Sequence, residues 1–246
     1  MENLFTTIIK EILRQHFGDA SEDIFGKSKI LQYIDIKTRS ANRGAKARGS
    51  FANLYAIYIV IEDYLAHNFD KKGNYSKYKG VEFTKLFKRQ RELPFGAKLQ
   101  NHALNNRLNS EFQKFFPSSE YTPILRDLET NRYWFNENLL KIKVSKKTYN
   151  IAEAIIEIIN KYAQTKRDAF EQFMQACLEL QEIQTKKPKD VENFIVSLLA
   201  PNVDARLFEI VSYAILKYYY SDQKIYWGYE IDKLKKEKLT LYKTGR

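Results

Sequence analysis

Apolar residues recur at helical spacing in the first part of the chain. Residues 2–17 carry them on one face, which predicts an amphipathic helix that Gly18 ends. The apolar members of this face are Leu4, Phe5, Ile8, Ile9, Ile12 and Leu13. Ser28 has the hydroxyl side chain typical of a helix N-cap, so a second, shorter helix is expected from there to Ile36.

A strongly apolar stretch follows at residues 50–67. Its apolar side chains cover almost every direction around a helix, which predicts a helix buried on most sides with Ser50 as its N-cap. The preceding residues 37–48 show no apolar period and contain Gly44, so they are expected to form an exposed cationic loop. The alternative is an ordinary solvated run of charge that leads into a core helix.

The same periodicities predict further helices and a few strands. The predicted helices are residues 81–91, 99–116, 151–164, 167–183, 191–200 and 202–220. The predicted strands are residues 139–144, 224–231 and 239–243. The fold class is therefore mainly α, with a multi-helix region over residues 1–200 that is expected to serve as a scaffold and, because it contains the two basic segments 27–48 and 70–100, as a DNA-binding region. Residues 201–246 follow as a helix plus a β-hairpin that looks like the start of an α/β nuclease core, although many other α+β domains begin in this way.

Positive charge is concentrated in two segments of the chain. The net charge of the 246 residues is +11, and residues 27–48 and 70–100 each contribute +6, while Glu62 and Asp63 between them subtract two. Clustered charge of this kind attracts polyanions, with nucleic acid as the leading candidate. A lysine-rich composition alone indicates less, because many AT-rich genomes encode lysine-rich proteins.

Three groups of side chains are candidates for contact with DNA. Cations suited to holding phosphates in the first basic segment are Lys37, Arg39, Arg43, Lys46 and Arg48. Those in the second are Lys85, Lys88 and Arg89. A polar helix face suited to reading base edges in a major groove holds Asn101, Asn105, Asn106 and Arg107. The alternative for this face is simple solvation.

The composition and motifs exclude several classes of site. Cys177 is the single cysteine, so no internal disulfide can form, and no Cys/His cluster of zinc type is present. No apolar run approaches the roughly 18 residues that a membrane span needs, and no signal peptide is recognisable, so a cytoplasmic protein with no membrane partner is expected. No phosphate-binding loop, nucleophile elbow or HExxH motif occurs in the sequence.

Four long segments resemble the amino-terminal part of a family of bacterial type II restriction endonucleases, which are themselves similar to the PD-(D/E)xK nucleases. The segments are KSKILQYIDIKTRSANRGAKARGSFANLYAIYIVIEDY, KRQRELPFGAKLQNHALNNRLN, LRDLETNRYWFNENLLKIKV and LAPNVDARLFEIVSYAILKYYY. The resemblance implies sequence-specific binding of double-stranded DNA and, in the complete enzyme, Mg²⁺-dependent hydrolysis of phosphodiester bonds. A palindromic target would also imply a homodimer.

The resemblance further implies where catalysis would lie. Glu209, on the helix of residues 202–220, is the one residue that could match a catalytic element of the family. The metal-binding Asp and the later catalytic strand of the family are expected beyond Arg246, so this chain is expected not to cut DNA by itself. Outside the resemblance, the nearest set of acids with a lysine is Glu230, Asp232, Glu237 and Lys238, for which a solvated hairpin tip is the competing interpretation.

A hypothesis from another class stays open. The chain could be a helical binding module that docks on RNA or on a protein and carries out no chemistry. Tyr75 and Tyr78 are expected at exposed loop positions, where their rings could stack on single-stranded bases.

Overall fold

The computed structural model describes most of the first 182 residues and few of the remaining ones. The described residues are 4–39, 45–69, 75–109, 112, 115–116 and 122–182, with the isolated positions 189, 192–193, 196 and 212. The chain divides into two compact units, Met1–Ala169 and Phe170–Arg246. Within residues 201–246 only Ser212 is described, and it is helical. Glu209 and the predicted β-hairpin therefore lie outside the described residues.

The described part of the chain is mostly helical. Its helices are α1 (Leu4–Phe17), α2 (Ser21–Lys27), α3 (Lys29–Thr38), α4 (Ala45–Ala66), α5 (Phe83–Glu92), α6 (Asn101–Asn109) and α7 (Ala152–Glu182). Short 3₁₀ turns lie at Gly18–Ala20, Tyr75–Lys77, Gly96–Lys98 and Glu137–Leu139.

Two small antiparallel sheets accompany these helices. The strands are β1 (Val81–Glu82), β2 (Ile124–Asp127), β3 (Arg132–Phe135), β4 (Lys141–Val144) and β5 (Lys147–Asn150). Strand β3 lies between β1 and β2, and β4 pairs with β5 as a hairpin. The register sets Val81 opposite Tyr133 and Ile124 opposite Phe135, so side chains that are buried on each strand face the same core.

Helix α4 is the centre of the core of the first unit. It packs against α3, α5, α6 and β3. Every residue from Ala52 to Ile61 is buried, and Leu54, Ile57 and Ile61 are fully so. The prediction of a helix buried on most sides is confirmed, and burial of this many large apolar side chains contributes roughly 1.5–3 kcal/mol for each.

The N-cap expected at Ser50 is wrong, whereas the one at Ser28 is confirmed. Helix α4 begins at Ala45, so Ser50 lies more than a turn inside it and is 3% exposed. Alanine, lysine and arginine are strong helix formers, and they continue the helix backwards through residues that were expected to form a loop. At the start of α3, the Ser28 hydroxyl oxygen accepts a hydrogen bond from the backbone N–H of Leu31 over 3.3 Å.

Several predicted boundaries differ from the observed ones. The helix expected over residues 81–91 begins at Phe83, because Val81 and Glu82 pair with β3. The helix expected over residues 99–116 ends at Asn109, and Phe115 and Phe116 lie in a turn and a coil. The break expected between residues 164 and 167 is absent, since α7 is one helix of 31 residues. The intervening Thr165 and Lys166 offer neither Gly nor Pro to end a helix.

Sequence periodicity found one of the five strands that the structure describes. Strand β4 lies within the predicted residues 139–144, although Leu139 belongs to a 3₁₀ turn. Strands β2 and β3 were not predicted, and each is only four residues long. Such short strands give little alternation to detect, and their pairing is decided by contacts elsewhere in the chain.

Candidate nucleic-acid interface

The first basic segment, residues 27–48, has part of its charge engaged within the protein. The Lys37 ammonium lies 5.0 Å from the centroid of the Tyr33 ring. An Arg39 guanidinium nitrogen lies 3.6 Å from a carboxylate oxygen of Asp35, and the arginine side chain is 54% exposed. Arg43 lies outside the described residues. Lys46 and Arg48 are in the first turn of α4, where the structure describes their backbone only.

The three cations expected on α5 separate into two kinds. Leu86 and Gln90 are buried, and this orientation leaves Lys85 and Lys88 exposed on the opposite side of the helix. Arg89 instead donates from Nε and Nη2 to the two carboxylate oxygens of Glu62 on α4, over 2.6 and 2.7 Å. The hydrogen bonds to Glu62 raise the pKa of Arg89 above its ordinary value. Its charge is therefore balanced within the protein.

The polar face expected on α6 is also divided. Asn101, Asn105 and Asn106 are exposed, opposite the buried Leu104 and Leu108. Arg107 points the other way. Its Nε donates to the Oδ1 atom of Asn53 over 2.9 Å, and its Nη1 donates to the carbonyl oxygen of Ala103 over 3.2 Å. Arg107 thus joins α6 to the buried centre of α4, while the three asparagines face outward.

Three elements bring basic side chains to one cleft that sequence analysis did not identify as a site. The cleft has a volume of about 430 Å³. It lies between the end of α4, the segment of residues 77–81, the first turn of α5 and strand β3, and we call it the lysine cleft. Its lining residues are Asp63, His67, Lys77, Tyr78, Lys79, Gly80, Val81, Lys85 and Arg132. The clustered positive charge of residues 70–100 indicated the three lysines in advance. No pattern in the sequence indicated that Arg132, about fifty residues later, would line the same cleft.

The negative charge in the lysine cleft is engaged by neighbouring protein groups. The Tyr78 hydroxyl donates a hydrogen bond to the carboxylate of Asp63. Burial, and next this hydrogen bond, raise the pKa of Tyr78, which therefore stays neutral and keeps its donor proton. The Nδ1–H of His67 donates to the backbone oxygen of Asp63 over 2.7 Å. These bonds fix Asp63 and His67 in the wall of the cleft.

Within the part of the chain that the structure describes, one of the cleft's four lysine and arginine cations is paired and three are not. Arg132 donates from Nη2 to Glu82 over 2.5 Å and from Nη1 to the carbonyl oxygen of Gly80 over 3.0 Å. Lys77, Lys79 and Lys85 have no hydrogen-bond or ionic partner within the described part of the chain. Three ammonium groups are therefore left for a ligand from solution.

The backbone at Gly80 explains how Lys79 reaches the cleft. Gly80 has φ +81°, a conformation that other residues rarely adopt. A Cβ atom at this position would lie 2.9 Å from the carbonyl oxygen of Tyr133. Only glycine lets the chain run this close to β3, and the turn places Lys79 and Val81 on the wall of the cleft.

The expectation that Tyr75 and Tyr78 are exposed is wrong. Both are half-buried in an aromatic cluster. The Tyr75 ring makes edge-on contacts with Tyr64 and Phe69, and its hydroxyl donates to the carbonyl oxygen of Phe135. The Tyr78 ring contacts Phe69 and lies 4.8 Å from the ring of His67. These contacts and the partial burial reduce the ring surface that a stacked base could reach.

The described residues lack a cluster of potential metal ligands. No group of three or more His, Cys, Asp or Glu side chains that could hold an ion occurs among them. The acids considered for that role, Glu209 and the set around Asp232, lie outside the described residues. None of the helices that the structure describes is both long and apolar enough to cross a membrane.

Comparison of this chain with family models, with curated proteins and with solved structures gave no significant match.

Proposed function

We propose that this chain binds double-stranded DNA as the DNA-binding part of a type II restriction endonuclease. The observation that carries the binding half of this proposal is a set of exposed lysines with no hydrogen-bond or ionic partner among the described residues: Lys77, Lys79 and Lys85 in the lysine cleft, and Lys88 on α5. Lysines that release condensed counterions from phosphates supply most of the affinity of proteins for duplex DNA.

Arg89 and Arg107 then have structural roles in the proposal. Their guanidinium groups hold α5 and α6 onto α4, so the exposed faces of these two helices are set rigidly. Rigid placement limits the conformational entropy that binding would otherwise cost. Asn101, Asn105 and Asn106 are the exposed amides suited to base contacts, because the side-chain amide of Asn matches the N6 and N7 edge of adenine.

The endonuclease half of the proposal rests on the sequence resemblance. Mg²⁺ and the carboxylates that would hold it belong to the complete enzyme, and no step of hydrolysis is assigned to the described residues. A two-fold dimer on a palindromic target belongs to the same half. Sedimentation of the chain with and without duplex DNA tests that dimer directly.

The competing function, binding of single-stranded RNA, receives less support. Base stacking on aromatic side chains drives much of that recognition. Tyr75 and Tyr78, the aromatics proposed for it, have their rings and hydroxyls engaged inside the protein.

A competition experiment separates the two functions. A labelled mixed-sequence duplex is bound to the purified chain and displaced by unlabelled duplex DNA, single-stranded DNA or RNA of equal length. We expect duplex DNA to compete best, and we expect the affinity to fall with salt at a slope of about 0.9 per phosphate contact. Stronger competition by RNA, or an affinity that salt does not change, contradicts the proposal.

A further inference from the structure

We propose that the lysine cleft is a binding site for a single phosphate group, in which Lys77, Lys79 and Lys85 are the ligands. The proposal deepens the proposed function, since on duplex DNA the occupant would be one backbone phosphate. It also stands apart from DNA, because a site built by converging ammonium groups takes an inorganic dianion of the same chemistry.

The convergence of the three lysines depends on the fold and not on their spacing in sequence alone. Lys77 ends a 3₁₀ turn, Lys79 precedes the glycine turn at Gly80, and Lys85 lies in the first turn of α5. All three line the same cleft. Like charges that line one cleft repel one another, and an anion bound among them would offset that repulsion and gain charge-assisted hydrogen bonds.

The remaining polar groups of the cleft do not neutralise the lysines. The carboxylate of Asp63 is the negative group in the lining, and it already accepts a hydrogen bond from Tyr78. The carboxylate of Glu82 is held by Arg132. Neither acid forms an ion pair with Lys77, Lys79 or Lys85 in the described part of the chain.

The part of the cleft wall formed by His67 and Arg132 is held in place by other protein groups. His67 is held by its Nδ1–H bond to the backbone of Asp63, and its ring lies against Phe69 and Tyr78. Arg132 is held by Gly80 and Glu82. With these two side chains already held, the lysine side chains are what remains to be ordered when the anion binds, which limits the entropic cost of binding.

Inorganic phosphate and sulfate are the probes that test the site without DNA. Each is titrated into the isotope-labelled full chain while the backbone amide signals of Gly80 and Val81, which line the cleft, are followed by NMR. The test variant carries Lys77→Gln, Lys79→Gln and Lys85→Gln. The control variant carries Lys98→Gln, Lys143→Gln and Lys146→Gln, which remove the same charge from exposed lysines that do not line the cleft.

We expect saturable shifts with both anions in the unmodified chain and in the control variant. In the test variant the affinity should fall at least about tenfold, because glutamine cannot form charge-assisted hydrogen bonds to the anion. A third variant, which carries Lys77→Arg, Lys79→Arg and Lys85→Arg, keeps the charge and should retain binding. The site is refuted if the unmodified chain shows no saturable shift, or if the test and control variants bind equally well.

Duplex binding is then measured on the same set of proteins. The DNA salt slope of the test variant should fall by about 0.9 for each phosphate that its glutamines no longer hold. If anions bind in the cleft but duplex does not bind the chain, the proposed function fails and the phosphate site stands. If duplex binds with an unchanged slope in the test variant, the proposed function stands and the cleft is not where DNA is held.

Discussion

Arg89 holds both carboxylate oxygens of Glu62, through Nε at 2.6 Å and Nη2 at 2.7 Å. The pair joins α5 to α4 in a bidentate geometry that guanidinium and carboxylate groups favour. The same arginine also reaches Glu92 over 3.2 Å. Its neighbour Lys88 is exposed and has no ionic partner among the described residues. Of two adjacent cations on one helix, one therefore forms ion pairs within the protein and the other faces solvent.

Replacement of these two neighbours should therefore give different results. Lys88→Gln should lower the DNA salt slope by about 0.9, because glutamine carries no charge to neutralise a phosphate. Arg89→Gln should leave the slope unchanged and lower the free energy of unfolding by about 0.2–1 kcal/mol, as expected for a partly exposed ion pair. The salt dependence of duplex binding and denaturant unfolding measure the two effects. A fall in slope in Arg89→Gln that equals the fall in Lys88→Gln would show that the arginine contacts DNA.

Gly96→Ala should destabilise the first unit. A Cβ atom at this position would lie 1.9 Å from the carbonyl oxygen of Gln90, which is backbone and cannot turn aside. We expect a loss of about 1–3 kcal/mol, the usual cost of overpacking. Gly26→Ala is the matched control, since nothing lies within 4 Å of its added Cβ and it is inside α2. There the alanine should be neutral or stabilise by up to about 1 kcal/mol. Equal effects in the two variants would exclude the close approach at Gly96.

Tyr162→Phe should change how stability depends on alkaline pH. Burial raises the pKa of Tyr162 to about 12, and its buried hydroxyl has no hydrogen-bond partner among the described residues. An unfolded tyrosine ionises near pH 10, so between about pH 10 and 12 the folded state binds more protons than the unfolded state. The free energy of unfolding then falls as pH rises, by roughly 1.4 kcal/mol per pH unit for this group.

The phenylalanine variant lacks that decrease. Its advantage over the unmodified chain should be about 1 kcal/mol at pH 7, where an unsatisfied hydroxyl is removed, and should grow from pH 10 to 12. Other tyrosines with raised pKa values are present in both proteins. Tyr162 is only the last of the causes that raise the pKa of Tyr55, after burial and Tyr58, so the difference between the two curves is due mainly to Tyr162. Denaturant unfolding at several pH values measures it. A difference that stays constant with pH would mean that the hydroxyl ionises normally in the fold.

Asn105→Ala and Asn106→Ala test whether the outward face of α6 reads bases. Both side chains are exposed. If either makes a bidentate base contact, its removal should cost about 1–3 kcal/mol on the cognate sequence and much less on random duplex. A selection from random duplexes first supplies the preferred sequence. Equal effects on both DNAs would assign these amides to phosphates, and no effect on either would assign them to solvent.

Some features of this protein follow from local sequence alone. The apolar spacing in α1, the Ser28 cap of α3 and the all-round burial of α4 are each set by residues within a few turns of one another. A helix closes its hydrogen bonds between neighbours four residues apart, so its presence and its buried face can be worked out from a short window of sequence.

Other features were decided by the tertiary structure. Val81 became a strand residue because Tyr133 lies beside it, and Ser50 is an interior residue of α4 because the helix continues back to Ala45. Arg89 and Arg107 appear in the sequence as cations equal to Lys85 and Lys88, yet they contact Glu62 and Asn53. The charge of a residue is a property of the sequence. Whether that charge is balanced inside the protein or left for a ligand depends on which distant side chain the fold brings within about 3 Å.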